Sequence, residues 1–376
     1  MTTDRRHLSY DIHAENPSAM RPFFLCMLFC IFSPALSSPS AGDTETVFEV
    51  VAELQQGPGN ITVTQTGDII VSLHQFFDHT VRVARVEHDG SLVEFAANAR
   101  LDSVLGLQAD ANGVVWLLDN AMRGNGQRRL VGWHASEDRA TADIDLSAAS
   151  VEGSFLNDLA IDTVTRTAFI ADPATGDDAA LIVVDLASGK TRRVLQGHIS
   201  VTPADTDLII DGVPVRIRKD DGSEFRPRVG VNPIALDSAG EWLYYGPMHG
   251  YTMYRIRSAD LRDADLTATE LGGRVERWAG RPISDGISLD DAGNLYLGDL
   301  ARNAIGVIGP DRRYRQWVAD PRLSWVDAFS FGPDGQLYAV ANQLHRTAVL
   351  HGGESATRPP YLVVRLRPLA SGKTGR

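Results

Sequence analysis

The sequence predicts an all-β fold: a six-bladed β-propeller, its ring closed by the N-terminal strand pairing with the last blade. Three observations predict it. A strand–turn–strand unit recurs six times, a second strand pair follows each unit, and a strand without a partner at the beginning matches one near the end. Self-similarity of this kind marks a repeat architecture. The clearest unit is SDGISLDDAGNLYLG, residues 284–298. Its alternating strands suit half-buried faces, and Asp-x-x-Gly supplies the turn between antiparallel partners. The same grammar recurs around Gly67 (GDIIVSL), Gly113 (LQADANGVVWLLD), Thr165 (NDLAIDTVTRTAFIAD), Gly240 (NPIALDSAGEWLYYG) and Gly335 (DAFSFGPDGQLYAV).

The second strand pairs include 81–95, 181–195, 253–256 and 304–318. Four strands per unit describe a propeller blade. The strand 46–54 lacks a partner in its own unit and is expected to lie beside 361–367, because an open ring would leave bare strand edges. A pair of β-sandwiches is the alternative architecture, but it accounts less well for a six-fold grammar. Asp110, Asp237 and Asp290 fall in the turns and are assigned to backbone hydrogen bonds. Trp116, Phe169, Tyr245, Tyr296 and Tyr338 alternate with apolar neighbours and are assigned to the blade cores. The polar stretch 198–231 is a hairpin insertion, most simply a solvated loop, alternatively a lid.

Three regions follow: an N-terminal extension and signal peptide (1–41), a single propeller domain (42–368) and a C-terminal tail (369–376). In the first, Met20-Arg21 opens an apolar run from Pro22 to Leu36, and small residues follow it. At roughly 15 residues the run is shorter than the roughly 20 of a spanning helix, and it has the signal-peptide pattern. Met20 is a candidate start, and cleavage is placed after Ser37 or Ala41. A secreted or periplasmic protein is expected, with no membrane contact after cleavage. Both cysteines, Cys26 and Cys30, lie in this segment, so the mature chain offers no disulfide or thiolate ligand.

The chain carries 36 Lys and Arg against 48 Asp and Glu, a net charge of −12. Without clustered basic residues this excludes a nucleic-acid partner. No Walker loop, His-Glu-x-x-His or Gly-x-Ser-x-Gly motif is present. The pairs His74/His79 and His345/His351 are read as surface residues before metal ligands.

Propeller geometry points to a site. The first strand of each unit lines the central channel, and eight residues before each turn glycine stand Gly59, Leu105, Asn232, Asp285 and Asp327, with Asn157 in the unit whose turn is one residue longer. Because blades are radial, these positions converge on one volume. Loops after the second strands add His74, Asp119, Asn120, Asp172, His249, Asp299, Asn303, Asn342 and His345. Loops on a rigid scaffold commonly carry function. The candidate ligand-binding set is Asn157, Asn232, Asp285, Asp327, Asp119, Asp172, His249, Asn303 and Asn342, with Asp285 the candidate catalytic base.

Three segments carry a family likeness. YYGPMHGYTMYRIRSADLRD (244–263), SDGISLDDAGNLYLGDLARNAIGVI (284–308) and WVDAFSFGPDGQLYAVANQLHR (325–346) resemble stretches of the major royal jelly and Yellow proteins. The likeness covers roughly 46–368. It implies an exported six-bladed propeller, with small amines among the family's ligands and dopachrome conversion among its named activities. The absence of cysteine from the mature chain means that the insect members' disulfides do not carry over.

A more distant likeness is to gluconolactonase and senescence-marker propellers, which hold a divalent metal, usually calcium, with a Glu, two Asn and an Asp. It implies Asn157, Asn232 and Asp285 as metal ligands, while the Glu position falls on Gly59. The leading expectation is a propeller that binds a small polar or aromatic molecule at the channel mouth. The alternatives are a metal-dependent lactone hydrolase using calcium or another divalent cation, a dopachrome-type tautomerase, and a protein-interaction scaffold.

Overall fold

The computed structural model describes residues 48–376 apart from Asn125 and Asp220. The expected signal segment, its cysteines and its cleavage sites lie outside the described residues. Among those residues the main strands form six four-stranded antiparallel sheets, arranged as the blades of a propeller. From the channel outward, blade 1 is Pro58–Val63, Ile69–Leu73, Val83–Val86 and Leu92–Glu94. Blade 2 is Val104–Ala109, Val114–Asp119, Arg129–His134 and Arg139–Asp145. Blade 3 is Leu159–Asp162, Thr167–Asp172, Ala180–Asp185 and Thr191–Val194. Blade 4 is Val231–Leu236, Trp242–Pro247, Thr252–Arg257 and Glu276–Gly280. Blade 5 is Ile287–Leu289, Leu295–Asp299, Ala304–Ile308 and Tyr314–Ala319.

Blade 6 closes the ring. Val326–Phe331, Leu337–Ala341 and Tyr361–Leu366 are joined by Glu49–Leu54 as the outermost strand. Glu49 stands opposite Arg365 and Leu54 opposite Tyr361, and the Arg365 guanidinium pairs with Glu49 at 2.8 Å.

Turn chemistry sets each inner hairpin. In blade 5 one Asp290 carboxylate oxygen accepts the amides of Ala292 (3.0 Å) and Asn294 (2.8 Å), and Gly293 takes φ +81°, which only glycine adopts freely. In the longer turn of blade 3, Arg166 holds φ +51° instead. The core is divided into wedges, with one cluster of buried side chains at each boundary between neighbouring blades. Phe169, Tyr245 and Tyr296 are fully buried in these wedges, and Tyr296 meets Phe331 of the next blade with ring centroids 6.1 Å apart. Burying one such side chain stabilises the fold by about 1.5–3 kcal/mol.

The insertion 198–231 is more than a solvated loop. It forms two short hairpins, Ile209–Ile210 with Val213–Pro214 and Ile217–Arg218 with Glu224–Phe225. Leu208, Ile210 and Val215 are buried in one cluster with Met248, Ile283, Leu300, Trp325, Leu344 and Leu350. These buried residues, with Ile217 and Val229 packed against the same cluster, dock the insertion over the channel mouth.

The segment 369–376 runs back to the far end of the channel. Gly375 C=O accepts from Thr62 Oγ1 (2.9 Å), and Arg376 C=O from Phe331 N–H (2.8 Å) and Ser288 Oγ (3.0 Å). The Arg376 guanidinium donates to the carbonyls of Ile161 (2.9 Å) and Asp237 (3.2 Å). Among the described residues no helix is long and apolar enough to cross a membrane.

Candidate functional site at the channel mouth

The six inner-strand positions converge. Gly59, Leu105, Asn157, Asn232, Asp285 and Asp327 all line one cavity of about 350 Å³ beneath the insertion. That volume suits a small organic ligand. The wall is largely apolar, with Phe76, Met122, Phe155, Met248, Trp325 and Leu344 from the blades and Leu208, Val215, Ile217 and Val229 from the roof. Asn60 also lines a second, 40 Å³ cavity on the far side, together with Asp158, Gln108, Ser288 and Arg376, and so divides the channel in two.

Three acids occupy this division, Asp158 and Asp285 buried and Asp327 half-buried, and each is clamped by an asparagine carboxamide. Asn60 Nδ2 donates to Asp158 Oδ1 at 2.6 Å, Asn232 Nδ2 to Asp285 Oδ1, and Asn342 Nδ2 to Asp327 Oδ2. Trp325 Nε1 donates to the other Asp285 oxygen at 2.8 Å. Burial pushes Asp285 up to about 7, against the pull of the Trp325 and Asn232 hydrogen bonds. Burial and then the charge of Asp285 raise Asp158 well above the usual carboxylate range. Asp327 is raised in the same way, by burial and then by Asp285 and Asp158. No cation offsets these shifts; the opposing pulls come from neutral donors.

Two histidines join the wall. His74 is lowered to about 3 by burial and then by Arg123, and His249 to about 4 by burial and then by Arg226. Both are neutral at pH 7. His74 fills the space beside Gly59, where an added Cβ would lie 3.4 Å from His74 Cβ and 3.0 Å from Ser72 Oγ.

Of the candidate residues, Asn157, Asn232, Asp285, Asp327 and His249 line the cavity, and four do not. Asp119 spends its carboxylate on the amides of Asp102 (2.9 Å), Ser103 (3.0 Å) and Ala121 (3.2 Å). Asp172 accepts from Phe155 N–H (2.8 Å), Ala174 N–H (3.0 Å), Ser154 Oγ and Arg193. Both fasten loops. Asn342 lies behind Asp327 and also donates to Pro58 C=O at 2.9 Å. Asn303 donates to Asp211 of the insertion at 3.0 Å. Counting one residue per strand passed over Asn60 and Asp158, and it gave no sign of Phe76, Phe155 or Trp325.

The donors do not fit a resident divalent cation. Calcium takes six to eight oxygens. Here Asn232 and Trp325 already hold both oxygens of Asp285, Gly59 supplies none, and neutral His74 packs where a fourth side chain would extend. Among the described residues no three His, Cys, Asp or Glu side chains converge as a metal site. Millimolar calcium in place of a chelator is therefore expected to leave the melting temperature of the protein unchanged, because a ligand of the native state alone would raise it. A calcium-dependent rise that disappears in Asp285→Asn would overturn this.

Among solved structures the chain is similar to a gluconolactonase from Xanthomonas campestris, with 14% identity, a TM-score of 0.53, and coverage of 85% of this chain and 89% of that one. It is also similar to a luciferin-regenerating enzyme, with 13% identity, a TM-score of 0.54, and coverage of 88% and 98%. At such identities the likeness establishes the fold alone. Against curated protein sequences the chain has no match. The family model for major royal jelly proteins matches residues 102–358. That match runs from the start of blade 2 into the last blade, over more than half of the sequence, and the chain belongs to the major royal jelly protein family.

Proposed function

We propose that this protein is an exported binder of a small organic cation, with the ligand's charged head at the acid floor of the cavity and its apolar body against Phe76, Met122 and Phe155. The observation that carries the reading is the pair of acids Asp285 and Asp327 at the base of a largely apolar cavity, backed by Asp158, with their shifts set by burial and by one another's charge and by no neighbouring cation. An ammonium group there replaces water-starved repulsion with charge-assisted hydrogen bonds. Export rests on the apolar segment from Pro22 to Leu36.

The probe is 2-phenylethylamine, titrated calorimetrically. Above about pH 7 Asp285 is a carboxylate and attracts the ammonium; below it the acid is neutral. Affinity is therefore expected to rise about tenfold between pH 6 and pH 8, following the ionised fraction of one group. No binding, or binding indifferent to pH, would overturn the reading. Hydrolysis of a lactone is the second reading, favoured by the position of Asp285 in the cavity and a pKa near that of a working general base. Turnover of gluconolactone that is lost in Asp285→Asn would support it.

A further inference from the structure

His249 belongs to the cavity wall but takes no part in the acid floor. Its ring is pinned from the roof. Val229 N–H donates to His249 Nδ1 at 3.3 Å, His249 N–H donates back to Val229 C=O at 3.1 Å, and Ala204 N–H donates to His249 C=O at 2.7 Å. With Nδ1 committed as an acceptor, the proton of the neutral ring sits on Nε2. His249 is only 1% exposed, and Nε2 is buried without a hydrogen-bond partner among the described residues. The charged groups around the ring are Arg226, Asp207 and Arg281. Arg281 is occupied by the carbonyls of Pro247 and Pro282 and by Ser284 Oγ, Asp207 pairs with Arg216, and Arg226 pairs with Asp205. A buried, oriented N–H donor without a partner at a ligand cavity favours any ligand that brings it an acceptor.

Across the ring, in blade 1, His74 holds the same tautomer. Phe76 N–H donates to its Nδ1 at 3.1 Å, which again leaves the proton on Nε2. Beside His249, the buried Oδ1 of Asn232 has no donor. The cavity is thus polar in a definite sense, with acceptors and acids at the floor and neutral imidazole N–H groups on the wall.

Resting on the reading of the cavity as an amine site, we propose that His249 is a specificity-determining residue that donates Nε2–H to an acceptor oxygen on the ligand. The preferred ligand is then a hydroxylated or carbonyl-bearing amine, and a bare hydrocarbon amine is a poorer one. The roof enters this recognition directly, because the backbone of Val229 fixes which imidazole nitrogen carries the proton.

The test compares 2-phenylethylamine with its para-hydroxy and β-hydroxy derivatives, titrated on the mature wild-type chain, His249→Phe and His249→Gln. One hydroxylated probe is expected to bind the wild type about tenfold tighter than the parent amine, as one well-placed hydrogen bond allows. In His249→Phe that ratio falls to about one, and in His249→Gln, which keeps an N–H donor, part of it returns. Nitrogen-15 spectra of the wild-type histidines read the tautomer independently, and a proton on His249 Nδ1 would overturn the proposal. So would a ratio near one in the wild type, which is the result expected if water alone satisfies Nε2, or a tenfold ratio that survives in His249→Phe. If none of the three amines binds, the amine reading itself fails and takes this proposal with it; an unchanged ratio with binding retained removes only the role of His249.

Discussion

Asp285→Asn is expected to abolish binding of 2-phenylethylamine and, at the same time, to raise the melting temperature of the ligand-free protein at pH 8. The first effect follows from removing the one floor acid that ionises near neutral pH. The second follows from linkage. The folded protein holds Asp285 up to about 7, against 3.8 for the free side chain, so between these values the folded state binds the extra proton. Stability from this group is complete below the lower value and is lost as pH rises through the upper one. At pH 8 the buried charge costs on the order of 4 kcal/mol. An asparagine carries no charge and keeps an oxygen for Trp325 Nε1. Asn232 can then turn its unpartnered Oδ1 toward the new amide. Scanning calorimetry should show a rise of several degrees at pH 8 and a smaller one at pH 5. A variant less stable than the wild type at pH 8 would show that the carboxylate is compensated after all. The acid is retained at a cost to stability, as is common for residues kept for function.

Asp172→Ala should have the largest effect in the opposite direction. The side chain is fully buried, and it joins the loop 154–155 to the loop at 174 and to Arg193, whose Nη1 approaches to 2.5 Å. Deleting it strands two amides and a hydroxyl and removes the carboxylate from the Arg193 ion pair, a loss of about 3–5 kcal/mol by analogy with broken buried ion pairs. Urea denaturation should show that loss directly, with Asp172→Asn intermediate because one acceptor oxygen survives. Ser154 and Phe155 line the cavity, so ligand affinity should weaken along with stability. If affinity vanished while stability stayed put, Asp172 would be a ligand contact and not a fastener.

The two acids also illustrate what the sequence could and could not disclose. Asp285 and Asp172 both stand in Asp-rich loops near the same face, and composition does not separate them. What separates them is a count: eight residues back from a turn glycine lands on Asp285 and on four further positions, Asn157 takes the place in the longer turn of blade 3, and all six line the cavity. A hairpin of constant length on a radial blade makes that count geometric. The count stopped at one residue per strand because it assumed regular pleating. The inner strands of blades 1, 2, 4 and 6 instead shift register near this level, between Pro58 and Ile61, Val104 and Leu107, Val231 and Ile234, and Val326 and Ala328. Such irregularities re-aim side chains. The clamp Asn60 lies within one such shift and so escaped the pattern, while the floor acid Asp158 directly follows Asn157 in blade 3 and was passed over because the count takes one residue per strand. Trp325, Phe76 and Phe155 looked like ordinary apolar loop residues, since their place depends on contacts between distant blades. The docking of the insertion turned on Leu208, Ile210 and Val215, too few to show a period.

The return of residues 369–376 to the channel axis has a consequence for exchange. With Gly375 and Arg376 bonded to inner strands at the far end, a propeller that could have been a through-pore becomes a blind well. Gly375 cannot be enlarged to loosen that stopper, because it sits at φ +89° and a Cβ there would fall 2.3 Å from Ala109 C=O. Whatever enters must leave by the same side, past Leu208, Val215 and Val229. Arrival and departure then share one gate, and the residence time of a bound molecule is governed by the motion of the roof as much as by the strength of its contacts.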